Sequence, residues 1–498
     1  MIRHLRGTPA RYASLAAIVL LFISSVANAT DDASSQEFKA SDIDKEAQLP
    51  PTKPTPESSA PKGEPIQTAQ YTPTQPLPVI VSETPVTNPY ARFSKYMVKG
   101  WNVTMPDPSN YIDQDPYGIR TAMEEDGLFF FGFTNDTFTY DVRNDNQLYG
   151  RPQLYSGQKP TIVSSTYGFL TYDLGKVGLP GGQLTAGVAY NYVNWDPAGP
   201  THAHISDFKY FQSLFDGKAE LMIGYLGNSI VYNGIYIGGN LAGGTFGVNA
   251  NIPQEAGQSQ SLITRPGVNF KVYLGGGVYN LAGVQRSWNP KGTDAEISSN
   301  GFGFGTSGSH VGELFLEEFG YKRAAAPGRP FTWIRAGYGF NNSDYGSLKT
   351  PGTTAHNHYL SLLADRQLLQ LGDTPTTAHR GLYAGFTVMQ APAEVDRFDQ
   401  YYEMRLYMKG PFASRPTDSM SLVINQNRFS KYAVASSKAR HQLTDVQATI
   451  ASLGYTANII RGVFLTSGLS YVNHPRAVTT VPEQRSALNF LTNVIIYY

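Results

Sequence analysis

From about residue 127 to the C-terminus, apolar and polar positions alternate with a period of two in one segment after another. In Thr137 to Arg143, Phe138, Tyr140 and Val142 share one face, and Thr137, Thr139 and Asp141 share the other. Leu184, Ala186, Val188, Tyr190 and Tyr192 oppose Thr185, Gly187 and Asn191 in the same way. Phe270, Val272 and Leu274 oppose Asn269, Lys271 and Tyr273, and Ile334, Ala336, Tyr338 and Phe340 oppose Trp333, Arg335, Gly337 and Gly339. Side chains on a strand point alternately to opposite faces, so each segment predicts a strand with one apolar and one wet or crowded face. A soluble sandwich would also alternate. Two features favour a membrane: the segments approach the length a tilted spanning strand needs, and the wet face carries Gly, Asn, Thr and single charges, as a lumen would. Counting back from Tyr498, the alternate residues Ile496, Val494, Thr492, Phe490 and Leu488 form a last strand that stops on an aromatic.

With about 22–25 residues for each strand and its share of turn and loop, the stretch Gly127 to Tyr498 holds about 16 strands. The expected fold is all-β: a transmembrane antiparallel barrel of that size over 127–498, with both termini on the periplasmic side. Residues 101–126 read as a short helical lead-in, with the helix from Tyr117 to Glu125. Residues 30–100 differ sharply, with Pro50, Pro51, Pro54, Pro56, Pro61, Pro65, Pro73, Pro76, Pro78 and Pro85 set among Ser, Thr, Glu and Lys. Such a stretch buries too little apolar surface to offset its ordering entropy, so a disordered Pro-rich extension is predicted. It reads as a spacer, a periplasmic tether or a peptidoglycan-binding arm. Residues 1–29 read as a secretory signal. Arg3, Arg6 and Arg11 precede the apolar run Leu15 to Val26, and Ala27-Asn28-Ala29 is a cleavage site.

Composition narrows the function. The chain has no cysteine, which excludes disulfides, thiol catalysis and Cys-ligated metal. Lys plus Arg equals Asp plus Glu at 39 each, so nothing suggests a nucleic-acid partner. Hydrophobic residues reach only 41%, yet there are 32 tyrosines and 26 phenylalanines, as suits a sheet with one wet and one greasy face. Gly303-Phe304-Gly305-Thr306-Ser307-Gly308 matches G-x-G-x-x-G but lacks the strand-before, helix-after context of a dinucleotide site, so it reads as a loop. The pairs His202/His204 and His356/His358 lack an evident third ligand and read as loop histidines. No nucleophile elbow is present. The reading is a non-enzyme with no cofactor and no metal.

The segment Arg380-Gly381-Leu382-Tyr383-Ala384-Gly385-Phe386, then Tyr401-Tyr402-Glu403, then Lys409-Gly410-Pro411-Phe412-Ala413-Ser414-Arg415-Pro416-Thr417-Asp418 resembles the late barrel of the carbohydrate-selective porin family, OprB. Asp365-Arg366-Gln367, Tyr471-Val472-Asn473-His474-Pro475 and the opening Tyr117 to Arg143 resemble other family segments in the same order. Two features depart from it. The Pro-rich extension is not a core family feature, and Arg143-Asn144-Asp145 stands where the family has Gly-Gly. The resemblance implies an outer-membrane pore of a Gram-negative bacterium, passing mono- or small oligosaccharides down their gradient. A general porin and a plugged tethering barrel are the alternatives. Implied partners are outer-membrane lipid, sugar solutes, the barrel-assembly machinery at Tyr498 and, as in many large porins, further copies in a homotrimer.

Such a pore needs polar groups that replace part of a sugar's hydration yet release it. The wet-face candidates for that lining are Trp333, Arg335, Asp365, Gln367, Glu403 and Arg405. For each, the plainer alternative is salt bridging within the barrel wall. Arg415-Pro416-Thr417-Asp418 reads as a register-setting turn, because Pro lacks the donor a strand interior needs.

Overall fold

The computed structural model describes residues 88–103, 105–143, 153–195, 201–232, 251–260, 264–440, 445–473 and 485–498. The expected signal and Pro-rich residues up to 87, the Asn144-Asp145 departure and His474-Pro475 lie outside them.

Sixteen strands form one closed antiparallel barrel in which each pairs with its sequence neighbours. The first five are β1 (Leu128–Asp141), β2 (Thr161–Asp173), β3 (Gly182–Val193), β4 (His202–Leu214) and β5 (Ala219–Leu226). The next five are β6 (Arg265–Gly275), β7 (Val278–Arg286), β8 (Glu313–Arg323), β9 (Thr332–Gly346) and β10 (Thr354–Gln370). The last six are β11 (Gly381–Gln390), β12 (Phe398–Lys409), β13 (Ser419–Phe429), β14 (Gln447–Ile460), β15 (Val463–Val472) and β16 (Ala487–Tyr497).

Closure is made by β1 and β16, in register from Phe133↔Tyr497 to Asp141↔Asn489. The seam runs to the last residue: Tyr498 N–H donates to Gly132 O at 3.0 Å, and Gly132 N–H donates to Tyr498 O at 2.7 Å. No edge is left in the sheet, which is the condition for spanning hydrocarbon.

The alternation sorts onto the two faces as the sequence predicts. On β9, Ile334 and Tyr338 are exposed on the outer face while Trp333, Arg335 and Asn341 are buried within. On β10, Leu360 and Leu362 face out while Asn357, Ser361, Asp365 and Gln367 face in. One end of the barrel has tight turns, down to two residues between β6 and β7 and between β14 and β15. The other end carries the long connections, 227–264 and 287–312 the longest among them.

The turn end is held by the segments that stood out in the sequence. Arg380 Nε donates to Gly410 O at 3.2 Å. Asp418 accepts from Arg415 and from the Tyr455 hydroxyl, and takes Asn458 N–H at 3.0 Å. The Arg415–Asp418 group is thus a clamp between the β12–β13 turn and β14.

Two sequence readings change, and a third, the loop reading of 303–308, holds. The docked lead-in includes residues before 101, because Phe93 and Tyr96 of the 3₁₀ turn Pro89–Tyr96 are already buried. Both histidine pairs lie in strands rather than loops: His202 and His204 open β4, and His356 and His358 lie in β10. The Pro/Gly/Thr residues that suggested loops are the connections just before them. The glycine-rich stretch 303–308 follows a helix, Thr293–Asn300, and leads into β8, so the dinucleotide geometry is absent.

The lead-in lies against the inward face of β1, β2 and β16. The Phe93 and Tyr96 rings sit 5.4 and 6.0 Å from Phe129, and Tyr111 lies 5.9 Å from Tyr497. Thr171 Oγ1 donates to Tyr96 O at 2.7 Å, and Gln183 Nε2 to the same oxygen at 3.1 Å. Phe93, Tyr96, Tyr111, Phe129, Phe131 and Tyr497 form one buried aromatic cluster inside the wall. Phe93→Ala should therefore weaken the docking of the lead-in by about 3–5 kcal/mol. The expected outcome is trypsin cleavage at Arg92 or Lys95 in the folded barrel, with a higher single-channel conductance. The wild type should resist cleavage there.

Candidate functional site: the polar lumen

Inward positions are set by strand parity, so the lumen wall is read directly from the register. Residues 227–232 and 251–260, in the connection between β5 and β6, turn into this space. Ile252 and Ala256 of the helical turn region 251–256 are fully buried. Its polar groups are tied to the wall on several strands. Asn269 Nδ2 of β6 donates to Asn228 Oδ1 at 2.7 Å, and Asn228 Nδ2 donates to Gln285 Oε1 of β7 at 2.8 Å. Asn341 Nδ2 of β9 donates to Ala256 O at 2.7 Å, and the Tyr359 hydroxyl of β10 to Gln258 Oε1 at 3.2 Å. Gly257 sits at φ +93° against Ser287 and Asn341, with no room for a Cβ. Residues 227–232 and 251–258 are thus bonded to inward groups from β6 to the start of β12, and they narrow the lumen.

Glu255 ends this crossing, accepting Arg397 N–H at 3.0 Å just before β12. Burial lifts its carboxyl from the ordinary range to about 7, although the Arg397 charge opposes the rise. Burial and then the charge of Glu255 push neighbouring Asp396 upward as well. A raised acid favours the folded state when protonated. The hold of Glu255 is therefore full at acid pH and is lost as pH climbs to about 7, and that of Asp396 weakens in the same direction.

On the facing wall the structure brings Asp365, Glu403 and Arg405 together. Asp365 of β10 and Arg405 of β12 are not on neighbouring strands; β11 runs between them, and Gly385 is the residue opposite both. The two side chains meet over this glycine. Arg405 Nε donates to Asp365 Oδ1 at 2.8 Å and Nη2 to Oδ2 at 2.5 Å, a bidentate pair. Nη1 reaches Glu403 Oε1 and Thr387 Oγ1, each at 2.7 Å. The Tyr407 hydroxyl donates to Asp365 at 3.2 Å, and that of Tyr401 to Glu403. A Cβ on Gly385 would lie 2.8 Å from Arg405 Nε and closer still to Asp365. The glycine of the R-G-L-Y-A-G-F segment is therefore what lets a charge network span three strands.

The other candidates are placed differently. Arg335 stacks on Trp333 at 3.7 Å, and Trp333 Nε1 donates to the Tyr279 hydroxyl at 2.9 Å, which in turn donates to Glu318 at 2.7 Å. Gln367 serves the β10–β11 turn: its Nε2 donates to Ala378 O at 2.8 Å and Arg380 O at 3.0 Å, and its Oε1 accepts Phe331 N–H at 3.1 Å. All six candidates face inward and none is more than 9% exposed. Glu403 is the most open of them. More accessible charged side chains facing inward are Lys322, which is exposed, and Lys271, Lys409 and Glu220, which are half-buried. The sequence placed Lys271 on a wet face and Lys409 in the family segment, without assigning either to the lumen. The signal was present, since Lys409 continues the i, i+2 series Glu403, Arg405, Tyr407.

Among the described residues no group of three His, Asp or Glu is placed to hold a metal ion. His202 and His204 stack at 4.6 Å without a third ligand there.

The profile of the family described as "Carbohydrate-selective porin, OprB family" matches residues 131–486. No curated protein matches the sequence. The high-pH structure of Pseudomonas putida OprB superposes with a TM-score of 0.65 at 15% identity, covering 78% of this chain and 98% of that one. Its low-pH structure gives a TM-score of 0.49 at 14% identity over 78% and 98%. A loop L8 deletion mutant of OmpT, an outer-membrane protein of Vibrio cholerae, gives 0.42 at 13% over 74% and 99%.

Gly385→Ala should part Asp365 from Arg405 and leave a buried carboxylate unpaired, at a cost of about 3–5 kcal/mol. The expected result is a barrel that loses its heat-modifiable migration at a lower temperature than wild type. An unchanged midpoint would show that the network does not brace the wall.

Proposed function

Because the chain belongs to the carbohydrate-selective porin family, OprB, we propose that its sugar solutes cross between residues 251–258 and the wall carrying Asp365, Glu403 and Arg405. The protein is a sugar-passing outer-membrane porin; the proposal concerns which groups the sugar meets. The observation that carries it is the saturation of the Arg405 network. Every guanidinium nitrogen already donates, and both carboxylates already accept. A passing hydroxyl can share these groups but not claim them, which supports contact strong enough to replace water and weak enough to release. Glu403, at the open margin of the network, is the acceptor nearest the solute. Trp333 and Arg335 stiffen the wall from beneath, and Gln367 fixes a turn.

The outward details are proposals on similar footing. The short turns, the start of β1 and the end of β16 on one side of the barrel support a periplasmic position for the N-terminal extension, since bacterial barrels keep their short turns there. Cleavage after Ala29 and recognition of the Tyr498 strand by the assembly machinery rest on the sequence features described above. A homotrimer is supported by the polar outer face at the seam, where Ser164 Oγ donates to Asp136 at 2.5 Å and Thr134 faces Thr166 at 3.3 Å.

Liposome swelling with the purified protein tests the central reading. Glucose and a disaccharide should enter at rates graded by size, and faster than amino acids and salts of matching size. Glu403→Gln should change the order among sugars more than the rate of the smallest. Equal entry of sugars, amino acids and salts would remove the sugar preference and leave a general pore.

A further inference from the structure

Beyond its aromatic cluster on β1, β2 and β16, the lead-in continues across the inner surface and sets one side chain, Trp101, at the lumen. The backbone is pinned on both sides of that residue. Lys99 N–H donates to Gln183 Oε1 of β3 at 2.9 Å, and Asn102 N–H donates to Ile230 O in the connection after β5 at 3.2 Å. Between them Gly100 lies so close to Met222 of β5 and Phe211 of β4 that a Cβ would collide with the first and crowd the second.

The Trp101 ring also has a built support. Phe169 of β2 meets it nearly at right angles, at 80°, with the ring centroids 5.4 Å apart. Lys209 Nζ of β4 lies 5.0 Å from the ring centroid. Lys209 and Asp207 are buried and paired at 2.7 Å, so the support carries no net charge. The indole itself keeps part of its surface open, whereas Trp288 and Trp333 are buried. Rigid apolar surface left against water is what a stacking partner covers.

Across the lumen stands the charge network. β4 and β12 are on opposite sides of the sixteen-strand circle. Lys209 comes five residues before Leu214, where β4 reaches the turn end, and Arg405 four before Lys409, where β12 does. Trp101 and the Asp365–Arg405–Glu403 network therefore flank the same depth of the lumen. Residues 251–258 are bonded nearer the loop end, to Asn341 of β9 and Tyr359 of β10. A solute that passes them from the loop side meets the network and the indole next.

We propose that Trp101 is a stacking platform for the ring of a cyclic sugar whose hydroxyls meet the Asp365–Arg405–Glu403 network. The chemical class is the pyranoses whose ring C–H bonds form a continuous apolar face, such as glucose and xylose. The face of an aromatic ring is negative and attracts the slightly positive C–H edge, in a contact too weak to delay release. The inference rests on the sugar-porin reading and makes the ring of the sugar, beyond its hydroxyls, a recognised feature. Trp101 lies outside the matched family span 131–486, so the platform belongs to the lead-in and not to the family's barrel.

The test uses the full-length protein in planar bilayers, with ion current titrated against glucose and, separately, against sorbitol. Sorbitol is an open-chain polyol of nearly the same size that has no ring face. After correction for bulk conductivity, wild type should be half-blocked by glucose at a concentration about fivefold lower than by sorbitol. Trp101→Leu keeps an apolar side chain for packing and removes the aromatic face; it should bring the two sugars within about twofold of each other. Trp101→Phe should retain part of the difference. Trypsin resistance at Arg92 and Lys95 reports that the lead-in of each variant is still docked, and the wild-type comparison stands whether or not a variant folds. Equal block of wild type by glucose and sorbitol, or a preference that Trp101→Leu leaves unchanged with the lead-in docked, overturns the platform. A folded wild type that passes neither current nor sugar would instead overturn the porin reading, and the platform with it.

Discussion

In hydrocarbon no water is available to an unpaired backbone N–H or C=O, so a sheet that spans it must close on itself. The reciprocal bonds between Gly132 and Tyr498 meet that requirement at the seam. Once the sheet is closed, strand parity has only two destinations, lipid and lumen. Leu360, Leu362 and Ile334 go to one, and Asn341, Asn357 and Asp365 to the other. A barrel of this strand number is too wide for its own side chains to fill. The space inside then has to be shaped by something besides the wall.

Two inward segments do that shaping. The lead-in packs its aromatics on Phe129, Phe131 and Tyr497, and residues 227–232 and 251–258 are bonded to β6, β7, β9 and β10 through amide and hydroxyl groups. The remaining wall is stiffened by charge. Arg405, Asp365 and Glu403 form a network across β10, β11 and β12 that exists because β11 has a glycine at the crossing point. These charges satisfy one another, so the wall facing the inward segments is polar and already saturated.

The barrel was legible in the sequence because period two is a direct consequence of strand geometry, and Ile334 to Phe340 or Phe270 to Leu274 could be assigned to faces without any tertiary information. The late-barrel segment was legible by resemblance, and its glycine and Arg-Pro-Thr-Asp turn acquire physical reasons in the structure. What was not legible depends on contacts between distant residues. Nothing local distinguishes Gln367, which ties a turn, from Glu403, which faces the lumen, because both share the same parity. The lead-in was placed too late because Pro89, Arg92 and Lys95 look like more of the Pro-rich stretch, whereas Phe93 and Tyr96 are buried only by partners in β1. The histidine pairs were misplaced because the turn residues before them masked the strand that follows.

The account stands on an open, sugar-accessible channel through this shaped lumen. Single-channel recording of the folded protein, with glucose added stepwise to the bath, examines that most directly. Discrete steps whose amplitude falls as glucose occupies the lumen are the predicted result. Correctly folded protein that gives no steps, or steps indifferent to glucose beyond its effect on bulk conductivity, would contradict it.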